Sequence, residues 1–200
     1  MQIKTKLTEM LGIKYPIIQG CMQWFATADL AAAVSNAGGL GVISSATFAS
    51  PEDLRTEIKR CKDLTDKPFA VNISLFPSLN AVGYHEHIKV CAEEGVRIME
   101  TAGRAPTEYI EEMKAAGMTV IHKCVAVKHA LKAQSIGCDM VVIDGYEAAG
   151  HIGAFNTGTM VLTPSAVRAL SIPVITAGGV CDGRSMAAAL MLGAEGVYMG

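Results

Sequence analysis

Along the chain, short apolar runs rich in β-branched residues alternate with longer segments mixing Ala, Leu, Lys and Glu at helical spacing. The runs P-I-I-Q (16–19), L-G-V-I-S (40–44), F-A-V-N-I-S (69–74) and R-I-M-E-T-A (97–102) read as strands. So do T-V-I-H-K-C (119–124), M-V-V-I-D (140–144), P-V-I-T-A (173–177) and G-V-Y-M-G (196–200), which makes eight. The spacing predicts helices over 27–37, 51–64, 84–94, 106–116, 127–136, 164–170 and 183–192. Ser50-Pro51-Glu52 and Thr163-Pro164 pair a polar cap with proline at the first helical position. Gly38, Gly95, Gly117, Gly137 and Gly193 fall where helices stop.

Repeated strand–helix units with short connections imply parallel strands, because parallel neighbours need a crossover and the crossover is right-handed. Strands that are apolar on both faces fit a sheet covered by helices. Eight such units predict a (β/α)8 TIM barrel, a single domain over residues 1–200. Such barrels run to about 250 residues, so this one is lean. The pattern holds eight strands but only seven helices after them, and ends on the last residue of strand eight. It therefore predicts a barrel truncated after that strand, without its last helix and C-terminal extension.

Half the residues are hydrophobic and 18% are charged, so the chain can build a core rather than stay disordered. A net charge of −2 with no block of like charge argues against nucleic acid or an anionic membrane as partner. No apolar run reaches the roughly 20 residues that span a bilayer. The start, M-Q-I-K-T-K-L-T-E-M-L-G, lacks the apolar region of a signal peptide, so a cytoplasmic protein is expected. Six scattered cysteines without a C-x-x-C pair read as buried free thiols.

Active sites of these barrels lie at the C-terminal strand ends. The polar residues there are Gln19 to Gln23, Ser44-Ser45, Asn72, Glu100-Thr101, His122-Lys123, Asp144 with His151, and Gly178-Gly179. In A-G-G-V-C-D-G (177–183) two glycines stand between strand seven and a helix starting near Asp182. Glycine backbone N–H groups and a helix N-terminus suit a phosphate, which barrels often bind after strands seven and eight. Lys123 at the end of strand five could support negative charge on a ligand, with Asn72 and Asp144 at the edge of a polar ring. These residues together describe a phosphate-bearing, ring-shaped cofactor. Neither a P-loop nor a G-x-G-x-x-G fingerprint is present, and no group has metal-ligand spacing.

D-G-Y-E-A-A-G-H-I-G (144–153) places one histidine among glycines after strand six. Gly145, Gly150 and Gly153 free that loop to carry His151 over the mouth, where an imidazole can exchange protons near neutral pH. His85, His87 and His129 fall in helical segments and are expected to be solvated, and strand alternation turns His122 away from the face of Lys123.

Several stretches together resemble the nitronate monooxygenase (2-nitropropane dioxygenase) family of FMN-dependent barrels. They are Y-P-I-I-Q-G-C-M-Q-W (15–24), A-A-A-V-S-N-A-G-G-L-G (31–41), D-K-P-F-A-V-N-I (66–73), V-I-H-K-C (120–124), D-G-Y-E-A-A-G-H-I-G and A-G-G-V-C-D-G. The resemblance implies that Cys21, Met22 and Gln23 line the flavin. It implies that Asn72, Lys123, Asp144 and Gly150 contact its ring or ribityl chain, and Gly178 and Gly179 its phosphate. Gly200, in the M-G that closes strand eight, joins the cofactor residues, and His151 and Lys123 are the catalytic ones. Family members continue past this M-G into T-R-F and an extension, so those phosphate contacts and a C-terminal lid are expected to be missing here. The implied activity is oxidation of alkyl nitronates with O2. Reductase-like members, NAD(P)H:quinone and enoyl-ACP reductases that draw on NADH or NADPH, are the alternative, since Q-G-C-M is nearer their Q-G-G-M than the Q-A-P-M of many nitronate oxidisers. A non-catalytic barrel fragment is the reading of a different class.

Overall fold

A computed structural model describes residues 3–76, 83–151, 153 and 155–200 of the 200-residue chain. The eight strands are β1 (Ile17–Gln19), β2 (Gly41–Ser44), β3 (Phe69–Leu75), β4 (Ile98–Gly103), β5 (Thr119–Cys124), β6 (Met140–Asp144), β7 (Val174–Ala177) and β8 (Gly196–Met199). All neighbours pair in parallel, in the order β1-β8-β7-β6-β5-β4-β3-β2. A parallel bridge between Ile18 and Leu40 brings β1 beside β2 and closes the ring. The predicted (β/α)8 barrel is the fold.

The seven crossovers carry α2 (Ala28–Ala37), α3 (Pro51–Leu64), α4 (Tyr84–Glu93), α5 (Ile110–Ala115), α6 (Val127–Ser135), α7 (Thr159–Ala169) and α8 (Gly183–Met191). Strand residues of one parity (Val71, Ile73, Met99, Val120, Val141, Ile143, Val174) face the helices in one continuous core. Those of the other (Ile18, Val42, Ala70, Ile98, Ile121, Met140, Val142, Ile175, Tyr198) fill the barrel. No helix among the described residues is long and apolar enough to cross a membrane.

Three elements differ from the sequence expectation. A helix the apolar pattern did not announce, α1 (Lys6–Leu11), precedes β1, and its six residues are too few to display a period. Thr5 and Thr8 form its reciprocal cap, and Leu7 and Leu11 join the residues filling the barrel at the end where the strands begin. α7 starts five residues before Pro164, which therefore lies inside the helix rather than at its start. The Glu147 carboxylate accepts the Thr159 N–H at 2.9 Å and sets that start from a distant loop. Thr163 is fully buried, its hydroxyl 3.1 Å from that of Thr176, instead of capping a helix. His87, expected in solvent, is buried on α4, and its Nε2 has no hydrogen-bond partner among the described residues.

Candidate active site

Because all eight strands run the same way, their C-terminal ends open on one face. β1 leaves the sheet at Gly20, whose N–H donates to the Met199 carbonyl of β8. The next N–H, of Cys21, donates to the Tyr198 hydroxyl at 2.7 Å. Tyr198 in turn donates to Oε1 of Glu100 on β4 at 3.1 Å, and Asn72 Nδ2 on β3 donates to Oε2 at 2.9 Å. The Lys123 ammonium of β5 stands 5.0 Å from the centre of the Tyr198 ring and makes no ion pair within 4.0 Å among the described residues. Cys21, Asn72 and Lys123 therefore meet through Glu100, which the sequence reading set among the polar strand ends, and Tyr198, which it did not name; Asp144 lies near enough for its charge to act on Glu100 and Lys123.

Burial dominates the electrostatics of this cluster. It raises the Asp144 carboxyl above the ordinary range, opposed by Lys123. It raises Glu100 too, opposed by Lys123 and by the bonds from Asn72 and Tyr198, and reinforced by Asp144. Burial, with the nearby Glu100 charge adding to it, pushes the Cys21 thiol up to about 12, so it is a neutral group and not a nucleophile at pH 7.

At the end of β7 the chain bends through Gly178 (φ +99°) and Gly179 (φ +72°). A side chain at Gly178 would place Cβ 2.7 Å from Thr159 Oγ1 and 3.2 Å from the Gly145 nitrogen. That hydroxyl, with one proton to donate, lies 2.9 Å from the Gly178 carbonyl, 3.0 Å from the Glu147 carboxylate and 3.3 Å from the Ala177 carbonyl, and so pins the bend to α7. The N–H groups of Gly179 and Val180 donate to no protein acceptor among the described residues. The start of α8 is not similarly open. Asp182 already accepts the N–H groups of Arg184 and Ser185, at 3.0 and 2.8 Å, in a capping box. The N–H groups left without a protein acceptor among the described residues are thus those of the glycine bend, whereas the Asp182 cap takes those of Arg184 and Ser185.

His151 is exposed on the loop after β6, one residue beyond Gly150 (φ +79°), and its ring stacks on Phe76 at 4.7 Å and 23°. Phe76 follows β3, so this contact joins the two loops across the mouth. His122 faces the helices instead, its Nδ1 2.8 Å from Thr101 Oγ1, and burial holds it down at about 4. Of the flanking candidates, Met22 is half-buried and Gln23 is exposed with its Nε2 donating to the Ala46 carbonyl at 2.8 Å. Gly200 lies exposed past β8. Gln19 is no mouth residue: its amide is buried in the seam between β1 and β2. Four cysteines are buried as expected, Cys21 is half-buried, and Cys181 is exposed. A hollow of about 190 Å³ lined by Gly12, Lys14, Asn36 and Lys67 lies at the opposite end, away from these groups.

The nitronate monooxygenase family model matches residues 4–82 and 75–200. The chain belongs to the nitronate monooxygenase family. A Rhodococcus jostii relative, named (3aS,4S,5R,7aS)-5-hydroxy-7a-methyl-1-oxo-octahydro-1H-indene-4-carboxyl-CoA dehydrogenase, is 43% identical over 99% of this chain and 54% of its own length. A probable nitronate monooxygenase of Staphylococcus saprophyticus is 36% identical, over 100% of this chain and 68% of its own. The solved structure of FabK from Thermotoga maritima superposes with a TM-score of 0.92 at 44% identity, covering 99% of this chain and 61% of that one. The chain thus spans about half the length of the first curated relative it matches. The signal that marks Glu100 and would have found Tyr198 is simple. Each is a polar residue of inward parity inside an apolar strand.

Proposed function

We propose that the chain is the barrel of an FMN-dependent oxidoreductase of the nitronate monooxygenase type, oxidising alkyl nitronates with O2. The observation that carries this reading is the half-buried, unpaired Lys123 ammonium among inward strand ends, on the same face as a left-handed glycine bend with open N–H groups. FMN fits such a set: an anionic phosphate for the bend, and a ring on which negative charge develops during reduction for the lysine. Bound there, FMN supplies the electron transfer, and the protein orients it and sets its electrostatics.

The residues of the chain then divide the remaining work. Gly178 and Gly179 hold the phosphate, and Cys21, Met22, Gln23, Asn72, Asp144, Gly150 and Gly200 line the rest of the cofactor. Lys123 balances negative charge on the ring. His151, held against Phe76, orients the substrate anion and holds or moves one proton. Cys21 contributes a neutral thiol and does not attack substrate.

A second reading has its own support. The Rhodococcus relative at 43% identity is named for a carboxyl-CoA substrate, which favours redox chemistry on an acyl thioester; in the reductase direction of that chemistry NADH or NADPH is the donor. Anaerobic mixing of FMN-loaded protein with a nitronate, NADH or NADPH separates the two. Fastest loss of the visible flavin absorbance with a nitronate supports the first reading, and with a reduced nicotinamide the second. A chain that never retains FMN refutes both.

A further inference from the structure

Glu100 is the most deeply placed carboxylate in the barrel, 1% exposed, and the reading above leaves it without a task. Every strand that faces it brings a defined group. β3 gives the Asn72 amide and β8 the Tyr198 hydroxyl, both bonded to it. β5 gives Lys123, β6 gives Asp144, and the turn after β1 gives the Cys21 thiol, which Ser44 of β2 touches. β7 contributes only the apolar Ile175 and Ala177. One half-buried ammonium, held over the Tyr198 ring, therefore acts on two carboxylates of which neither pairs with it directly. A single cation cannot serve both carboxylates and a ring that turns negative. Asp144 sits at the strand end with 8% exposure and is less completely removed from water than Glu100 at 1%, so of the two Glu100 gives up its charge more readily. Burial and Asp144 both favour its neutral form, and Lys123 is the first force against it.

Resting on the FMN reading, we propose that Glu100 is a redox-linked proton site. It is ionised beside Lys123 while the ring is uncharged, and protonated once the ring becomes negative and takes Lys123 as its counter-ion. For two electrons from the reductant, one proton enters the ring and a second, from solvent, forms an O–H bond on Glu100. Reoxidation releases both. Glu100 acts through Lys123 and is a positioning residue.

The test is the midpoint potential of the FMN-loaded protein followed from pH 6 to 8.5, with dithionite as reductant. For a two-electron couple each proton taken up adds about 30 mV per tenfold change in proton concentration. Wild type shows about twice the slope of Glu100→Gln, and equal slopes overturn the proposal. A reduced-minus-oxidised infrared difference spectrum covers the case in which that variant fails to fold. A protonated-carboxyl band appears on reduction in wild type and moves in Tyr198→Phe, whose hydroxyl touches Glu100. A missing band, or one indifferent to Tyr198→Phe, sinks it. Loss of FMN binding in wild type refutes the cofactor reading itself, whereas retained FMN with equal slopes refutes Glu100 alone.

Discussion

Gln19→Leu tests how the barrel closes and how closure reaches the site. Between β1 and β2 the main chain makes only two rungs, Leu40 N–H to the Ile17 carbonyl and Gln19 N–H to the Leu40 carbonyl, both 2.9 Å. The chain then turns away at Gly20, and the side-chain amide of Gln19 supplies the next rung. Its Oε1 accepts the Val42 N–H at 3.1 Å, and its Nε2 donates to the carbonyls of Val42 at 3.2 Å and Gly20 at 3.0 Å. Leucine keeps the volume but leaves the Val42 N–H and C=O and the Gly20 C=O unpaired in a seam where residue 19 is 5% exposed. At about 1–3 kcal/mol for each of the three orphaned groups, the loss is about 3–9 kcal/mol, a large share of the 5–15 kcal/mol usual for a domain. Urea unfolding should report it as a lower midpoint at unchanged slope. Gln19→Glu gives the sign control. A carboxylate can accept from Val42 but repels its carbonyl, so the folded state raises that carboxyl's pKa. Stability is then retained below the unfolded value near 4.3, where the acid is neutral in both states, and lost as pH rises from there through the raised folded value. A loss below about 0.5 kcal/mol in Gln19→Leu, the range of an ordinary surface change, would refute the closure argument.

Gly178→Ala forces a left-handed backbone and sets Cβ 2.7 Å from Thr159 Oγ1, so it should destabilise by about 1–3 kcal/mol and weaken FMN retention, read by fluorescence quenching. Thr159→Val, which removes the pin without strain, should weaken FMN retention less, and the reverse order would refute the bend as the phosphate seat. Iodoacetamide at pH 7.5 should label exposed Cys181 first and leave Cys21 slow, because its thiol ionises only near pH 12; mass spectrometry of timed digests decides. His122, held down at about 4 against 6.5 when unfolded, should cost about 3 kcal/mol of stability as pH falls through that window. His122→Gln should flatten that part of the pH–stability curve, and an unchanged curve would place the acid sensitivity elsewhere.

Much of the site could be read in the sequence because strand parity and strand order are local properties. Lys123 and His122 differ by one position, so alternation alone sends one to the interior and the other toward the helices, as found. The glycine bend was legible because left-handed backbone selects glycine. Glu100 was legible only as a polar strand end and Tyr198 not at all, because their importance lies in each other: they are 98 residues apart and meet only across the closed ring. Asp182 reads equally well as a helix cap or as part of an anion site, and only its bonds to Arg184 and Ser185 chose the cap.

The sequence by itself determined the eight parallel strands, the face on which their ends collect, and the family. Apolar period, β-branched content and glycine positions act within a few residues, so they survive without coordinates. Only the tertiary structure decided that Gln19 closes the seam, that α1 plugs the barrel floor and that the charge of one lysine acts on two buried carboxylates. Those outcomes depend on desolvation and on partners far apart in the chain, and no local pattern encodes either.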